Sequence, residues 1–406
     1  MAAQKVLMFG WEFPPFNSGG LGVACEAIVK GLLSEGKEVT FVLPKKTDLS
    51  YDGKTKIVFA DDDNLHLRPI GSPLTPYIMS GLGNAGKFFG FSLAEEVIAY
   101  AKNAAKVASS LEFDIIHAHD WLSFGAGLMA REVSGKPMIA HIHSTEYDRN
   151  AGQGINEFIY KLEKEGLEKV DYIIAVSNFT KNIVVEKYGI DENKISVVHN
   201  GGDPVYREES GSSYDRFQEL KSQGYKIVLY NGRITIQKGP DYFVKAAKRV
   251  LEKYPKTLFF VSGSGDMMGE IMNLAATLGI AENISFLGFT RGEDLKSLYK
   301  SADLFVMPSV SEPFGIVPLE SLHEGTPVLI SHQSGVSEVL SHALKTDFWD
   351  IDDMASKIIA ALHYPALSQQ LSREGKSEAM SVTWQKASKK IIEIYNKVIE
   401  IFKRKK

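Results

Sequence analysis

Two doubly wound parallel α/β domains are expected from three features of the sequence. Short β-branched and apolar runs alternate with helical stretches from end to end, the pattern of strands buried on both faces and joined by crossover helices. The runs fall into two series, one in each half. The chain has 406 residues, too many for one ordinary core but suited to two domains of about 200 residues each.

In the first half the strand-like runs lie at 6–9, 39–43, 115–118, 138–142, 172–176 and 195–198. In the second half they lie at 227–230, 258–261, 284–287, 304–307 and 328–330. Each series is expected to build one Rossmann-like sheet. Between them, Asn200-Gly201-Gly202-Asp203-Pro204 and the polar run 207–213 read as a hinge or linker, which divides the chain into domains 1–203 and 204–381. No short-period repeat and no low-complexity tract interrupts the pattern. The segment from Trp384 is amphipathic, with Ile391, Ile392, Tyr395, Val398, Ile399 and Phe402 on one stripe and Lys403-Arg404-Lys405-Lys406 beyond it. That stripe either packs on a domain or, with its basic tail, meets anionic lipid.

Composition excludes several partners. Lys and Arg number 46 against 50 Asp and Glu, a net charge of −4, so no broad attraction to nucleic acid is expected. A single cysteine, Cys25, rules out an internal disulfide and fits a reducing compartment; on a helix face it reads as a small apolar residue. Glu12 and Pro14 interrupt the first apolar run, which argues against a secretory leader, and no run approaches the roughly 20 apolar residues of a membrane span. A soluble cytoplasmic protein is expected.

The chemistry-bearing segments follow strand ends, where open parallel sheets bind ligands. Two glutamates eight positions apart, Glu312 and Glu320, flank a Phe314-Gly315 turn between the apolar run 304–307 and a helix-like stretch that contains Val317, Leu319, Leu322 and His323. A carboxylate in the loop can touch a sugar, one in the helix can accept from ribose hydroxyls, and free backbone N–H groups collect at such a junction. Upstream, Arg233 and Lys238 lie in Gly232-Arg233-Ile234-Thr235-Ile236-Gln237-Lys238-Gly239 after the run 227–230. Two cations there can stabilise the charge that develops on a departing nucleoside diphosphate without a metal. Taken singly, each of these side chains is equally consistent with a surface ion pair or an exposed helix face.

Together, Gly-Arg-x4-Lys-Gly followed by Glu-x7-Glu with Glu312-Pro313-Phe314-Gly315 intact resembles the retaining GT-B glycosyltransferases, in the branch that holds glycogen and starch synthases (glycosyltransferase families 4 and 5). Gly19-Gly20-Leu21-Gly22 after the first strand and His117-Ala118-His119-Asp120-Trp121 after the run 115–118 resemble the family's N-terminal marks, the latter in its glycogen synthase version. The resemblance spans nearly the whole chain. It implies that His119 touches the donor sugar near the scissile bond, that Arg233 and Lys238 hold the diphosphate, that Glu312 meets the transferred sugar and that Glu320 meets the ribose. It further implies nucleotide-sugar contacts from Gly19, Gly20, Leu21, Phe314, Gly315, Ile316 and Val317, and from Gly263 and Gly265 in Ser262-Gly263-Ser264-Gly265-Asp266. Retention of α configuration is implied, with the acceptor attacking on the face that the diphosphate leaves. So are a cleft between the domains and a last helix, about 382–406, that returns to the first domain.

Other residues carry competing readings. His141 and His143 alternate on a strand as metal ligands do, yet no third ligand is spaced to join them; a sugar or acceptor contact for His143 stays open, and no metal and no cofactor beyond the donor are expected. His117 reads as structural. Asp61-Asp62-Asp63 resembles an Asp-x-Asp metal motif but reads as a solvated acidic loop. The lysine that starch and bacterial glycogen synthases carry before the first glycine pair is absent from Asn17-Ser18-Gly19-Gly20-Leu21, and Ser334-Gly335-Val336-Ser337 replaces the usual double glycine before Glu338. The expected activity is hexosyl, foremost α-glucosyl, transfer from UDP- or ADP-glucose to an α-glucan. The alternatives are a small-sugar or lipid acceptor in the same branch, or a non-catalytic nucleotide-sugar binder.

Overall fold

The computed structural model describes residues 4–14, 20–44, 56–59, 86–202 and 214–405. The chain divides into two compact units, Met1–Gly201 with Trp384–Lys406, and Gly202–Thr383.

The first unit holds strands β1 (Lys5–Phe9), β2 (Glu38–Leu43), β3 (Lys56–Phe59), β4 (Ile115–His119), β5 (Met138–Ile142), β6 (Tyr172–Ala175) and β7 (Ile195–Val197). Its helices are α1 (Gly20–Ser34), α2 (Gly86–Ser109), α3 (Trp121–Ser134), α4 (Glu146–Arg149), α5 (Glu157–Lys169) and α6 (Asn178–Tyr188). All pairings are parallel, in the order β3-β2-β1-β4-β5-β6-β7. β1, β4, β5 and β6 are buried nearly throughout, which is why they read as continuous apolar runs rather than alternating ones.

The second unit holds β8 (Lys226–Asn231), β9 (Thr257–Ser262), β10 (Ile284–Gly288), β11 (Leu304–Met307), β12 (Val328–Ser331) and β13 (Leu344–Thr346), in the parallel order β10-β9-β8-β11-β12-β13. Its helices are α7 (Tyr214–Ser222), α8 (Pro240–Leu251), α9 (Met268–Thr277), α10 (Gly292–Ser301), α11 (Val317–His323), α12 (Ile351–His363) and α13 (Pro365–Ser381). Val228, Phe243, Phe259, Val306 and Ile358 form the centre of one core cluster, as Leu7, Ile116, Ala140 and Ile173 do in the first unit.

In both sheets the strand order reverses once beside the first strand, between β1 and β4 and between β8 and β11. The crossovers on either side of that point leave in opposite directions, so a crevice opens there at the carboxyl ends of the strands.

The last helix, α14 (Trp384–Lys405), belongs to the first unit and packs on α1. Gly31 permits the approach, since a Cβ there would lie 2.0 Å from Ser388 Oγ. The stripe expected from the sequence supplies the buried residues Ile391, Tyr395 and Val398, and Lys397 Nζ reaches the Tyr172 hydroxyl at 2.8 Å. Among the described residues, no helix is long and apolar enough to cross a membrane.

Two strands escaped the sequence reading. β3 and β13 are edge strands of four and three residues, short enough to be lost among the polar residues that flank them.

Candidate active site

In the second unit the site is assembled at the reversal point. β8 ends at Asn231, and the loop that follows carries Arg233 and a 3-10 turn over Ile236–Lys238. Gly239 closes that turn at φ 60°, with no room for a side chain because a Cβ would lie 2.2 Å from the carbonyl oxygen of Pro308 after β11. The two loops are thereby pressed together. Lys238 Nζ donates to Glu312 Oε2 at 2.6 Å, and Ser309 Oγ donates to the same oxygen at 3.2 Å. Arg233 Nη2 donates to Gln237 Oε1 at 3.0 Å, and the Gln237 carbonyl accepts from Val310 N at 2.9 Å. Glu312 is 7 % exposed, so its carboxylate is held by partners rather than by water.

The Glu312 backbone is fixed as well. Its N–H donates to the Gln333 carbonyl and its carbonyl accepts from Gly335 N, both at 2.9 Å, while Val336 N donates to the Phe314 carbonyl at 2.7 Å. Phe314 is buried, Gly315 turns at φ 94°, and the half-buried Ile316 and Val317 lead into α11. Glu320 is the fourth residue of α11. The Tyr299 hydroxyl of α10 donates to its Oε2 at 3.0 Å and accepts from Asn231 Nδ2 at 2.9 Å, and Asn231 Oδ1 accepts from Ser262 Oγ at 3.0 Å. Ser262 Oγ also hydrogen-bonds Thr290 Oγ1. Burial pushes the Glu320 carboxyl above its ordinary range, and the Tyr299 hydrogen bond opposes that shift.

Gly263 and Gly265 have a packing reason to be glycine. A Cβ would lie 1.8 Å from the Gly232 carbonyl oxygen at Gly263 and 2.2 Å from the Ile234 carbonyl oxygen at Gly265. The loop bearing Arg233 lies directly on this turn, with Gly232 N donating to Ser262 O at 3.0 Å and Ile234 N to Ser264 O at 2.9 Å.

In the first unit the site is a stack of four histidines. His117 and His119 alternate on β4, His141 lies beside His119 one residue before the end of β5, and His143 follows the strand. His119 Nδ1 and His143 Nε2 share a hydrogen bond of 2.9 Å, His117 Nε2 and His141 Nδ1 one of 3.1 Å, and His117 Nδ1 meets the Tyr395 hydroxyl of α14 at 2.5 Å. His119 Nε2 and His141 Nε2 are buried without a hydrogen-bond partner. Burial holds all four rings neutral: His117 and His143 are pushed down to about 3, and His119 and His141 lie well below the ordinary range. A neutral ring has one N–H and one lone pair, so the tautomer of the His119–His143 pair decides whether His119 Nε2 donates or accepts.

Asp120 does not satisfy His119. Its Oδ1 accepts from His143 N at 2.6 Å and Ser144 N at 3.3 Å, which fixes the loop that carries His143. It does so at φ 57°, a conformation rare outside glycine, and burial raises its carboxyl to about 7 against the lowering effect of the His143 N–H.

Gly20 opens α1 and Leu21 is buried behind it; Gly19 lies outside the described residues, as do Asn17, Ser18 and Asp61-Asp62-Asp63. The structure thus joins Lys238 to Glu312 and His119 to His143, and links Glu320 to the β8 loop through Tyr299. Tyr299, Asn231, Ser309 and Gln237 are not singled out as parts of a site by the sequence. Gln237 fills a variable position of the Gly-Arg-x4-Lys-Gly motif, and Asn231, Tyr299 and Ser309 lie outside the spaced motifs and are brought in by β8, by α10 and by the loop after β11.

Residues 18–205 match the family model for Glycosyltransferase Family 4, and residues 212–378 match that for Glycosyl transferases group 1. An uncharacterised glycosyltransferase of Methanocaldococcus jannaschii is 28% identical over 99% of this chain and 100% of its own length. A glycogen synthase of Mycobacterium tuberculosis is 24% identical over 97% of this chain and 94% of its own. Among solved structures, Anabaena HepE in complex with UDP and glucose superposes with a TM-score of 0.73 at 17% identity, over 97% of this chain and all of that one. With both family models matched in order and the two parallel sheets shared with that structure, the chain belongs to the GT-B glycosyltransferases.

Proposed function

We propose that this glycosyltransferase moves α-glucose, with retention, from UDP- or ADP-glucose to an α-glucan. The observation that carries the chemistry is the Lys238–Glu312 pair at 2.6 Å, set at the reversal point of the second sheet with Arg233 on the same loop. A diphosphate placed there meets two cations as its bond to the sugar breaks. The acceptor hydroxyl attacks on the face that the diphosphate leaves, and the departing phosphate takes its proton. Glu312, fixed by Ser309 and its own backbone bonds, positions the sugar rather than attacking it. Glu320 accepts from the ribose hydroxyls, and His119 Nε2, buried and unpartnered, bonds a sugar hydroxyl. This route needs no cofactor and no metal.

The glucose donor is supported by His119-Asp120-Trp121, by the glycogen synthase likeness and by the UDP and glucose in the HepE structure. One feature favours a second reading, a small-sugar or lipid acceptor: Asn17 stands where the glucan synthases named above carry a lysine. The test is proton NMR of the product from UDP- or ADP-glucose and a maltooligosaccharide. A new α-anomeric signal on the oligosaccharide is expected. A β signal would refute retention, and transfer to simple sugars alone would favour the second reading.

A further inference from the structure

Cys25 does not behave as a bland helix residue. It is the only cysteine of the chain, fully buried on α1, and its thiol comes within 4.8 Å of ring nitrogens of His119 and His143, with the same limit between those two nitrogens. His119 Nε2 has no hydrogen-bond partner although the residue is 0 % exposed. Leaving a buried ring nitrogen without a partner is costly, so in the tautomer that puts a lone pair on Nε2 the cluster favours a ligand that takes it up.

We propose that Cys25, His119 and His143 form a binding site for a borderline-soft divalent metal ion of the zinc type. One thiolate and two imidazoles are the donor set such ions prefer, and three protein ligands leave the fourth tetrahedral position open. Metal–ligand bonds of about 2.0–2.3 Å set ligand atoms roughly 3.3–3.6 Å apart, a spacing that falls inside the 4.8 Å limit the three ligand atoms already meet. Each imidazole would bind the ion through the lone pair of one ring nitrogen. Burial, and after it the nearby Asp120 and Glu12, push the Cys25 thiol up, so its proton leaves to solvent only as the ion binds, and the thiolate then reduces the charge buried with the ion. Ions enter from the side of His143, the half-buried member. A second grouping, His117, His119 and His141, is also within 4.8 Å, but both nitrogens of His117 are already engaged by Tyr395 and His141, and it offers no anionic ligand.

The consequence for catalysis rests on the proposed function. An ion on His119 removes that ring from the sugar, so zinc is an inhibitor of transfer and not its cofactor.

The experiment uses the full chain stripped with a chelator, with Zn²⁺ for calorimetry and Co²⁺ as the optical probe. One ion per chain and a thiolate-to-cobalt charge-transfer band are expected. Cys25→Ala should lose the band, weaken Zn²⁺ binding by at least about tenfold and keep zinc-free turnover; if it folds poorly, His143→Gln provides the same binding readout. Zinc should inhibit nucleotide release by the wild type and spare Cys25→Ala. Binding with the band but without inhibition supports the metal site and removes His119 from the sugar chemistry. Absence of binding, or equal binding by Cys25→Ala, overturns the metal site and leaves the transferase reading standing.

Discussion

Lys238 is the side chain on which the chemical proposal depends most. Its ammonium is fixed by Glu312 at 2.6 Å rather than free to wander, so a developing phosphate charge meets a cation already in place. Lys238→Ala should lower kcat by about 100-fold or more while far-ultraviolet circular dichroism stays unchanged. Unchanged turnover would exclude Lys238 from the mechanism. Glu320 gives a pH test. Burial raises its carboxyl above the ordinary 4.5, so at mildly acid pH it is protonated and a poorer acceptor for ribose hydroxyls. Donor kcat/KM should therefore rise with pH through a limb above 4.5, and Glu320→Gln should abolish that limb and hold the acid-side value. A limb that persists in the variant belongs to another group. At this scale the sequence was legible wherever spacing carried the information: Arg233, Lys238, Glu312 and Glu320 sit in recognisable intervals. It was silent on Tyr299, Ser309 and Cys25, whose roles come from contacts over long sequence separations.

Elements explain why those side chains meet. Loops after β8 and β9 are interlocked backbone to backbone, and Gly263 at φ 137° leaves the Gly232 carbonyl room to pass. Gly263→Ala should destabilise the second unit by about 2 kcal/mol or more, through both strain and overlap, and raise the donor KM because the Arg233 loop must shift. A variant with wild-type melting temperature and donor KM would show that the loops are not coupled this way. The sequence presents Gly263 and Gly265 as expected nucleotide contacts, and the structure adds this packing reason for glycine at both positions. Strands were legible where both faces are buried, as in β4 and β11, and not at β3 and β13, which are short edge strands. On α14 the apolar stripe was legible, but the hydrogen bond of Tyr395 to His117 was not, since nothing in a helical repeat announces a hydroxyl aimed at a strand 278 residues away.

Across the whole molecule, one rule of parallel sheets is applied twice. Each unit places its chemistry-bearing residues at or after the ends of the strands that flank its reversal point, α1 after β1, His119 at the end of β4, Arg233 and Lys238 after β8, and Glu312 after β11. This much followed from alternating strand and helix patterns and from motifs at strand ends. Donor base and acceptor do not follow from the fold, because they are set by side chains lining a site rather than by sheet order. The most direct measurement is therefore nucleoside diphosphate release from UDP-, ADP- and GDP-sugars, with and without glycogen or a short maltooligosaccharide. Release from UDP- or ADP-glucose that rises with added glucan is the expected result. Release confined to another sugar donor, or indifferent to glucan, would contradict the proposed glucosyl transfer to α-glucan.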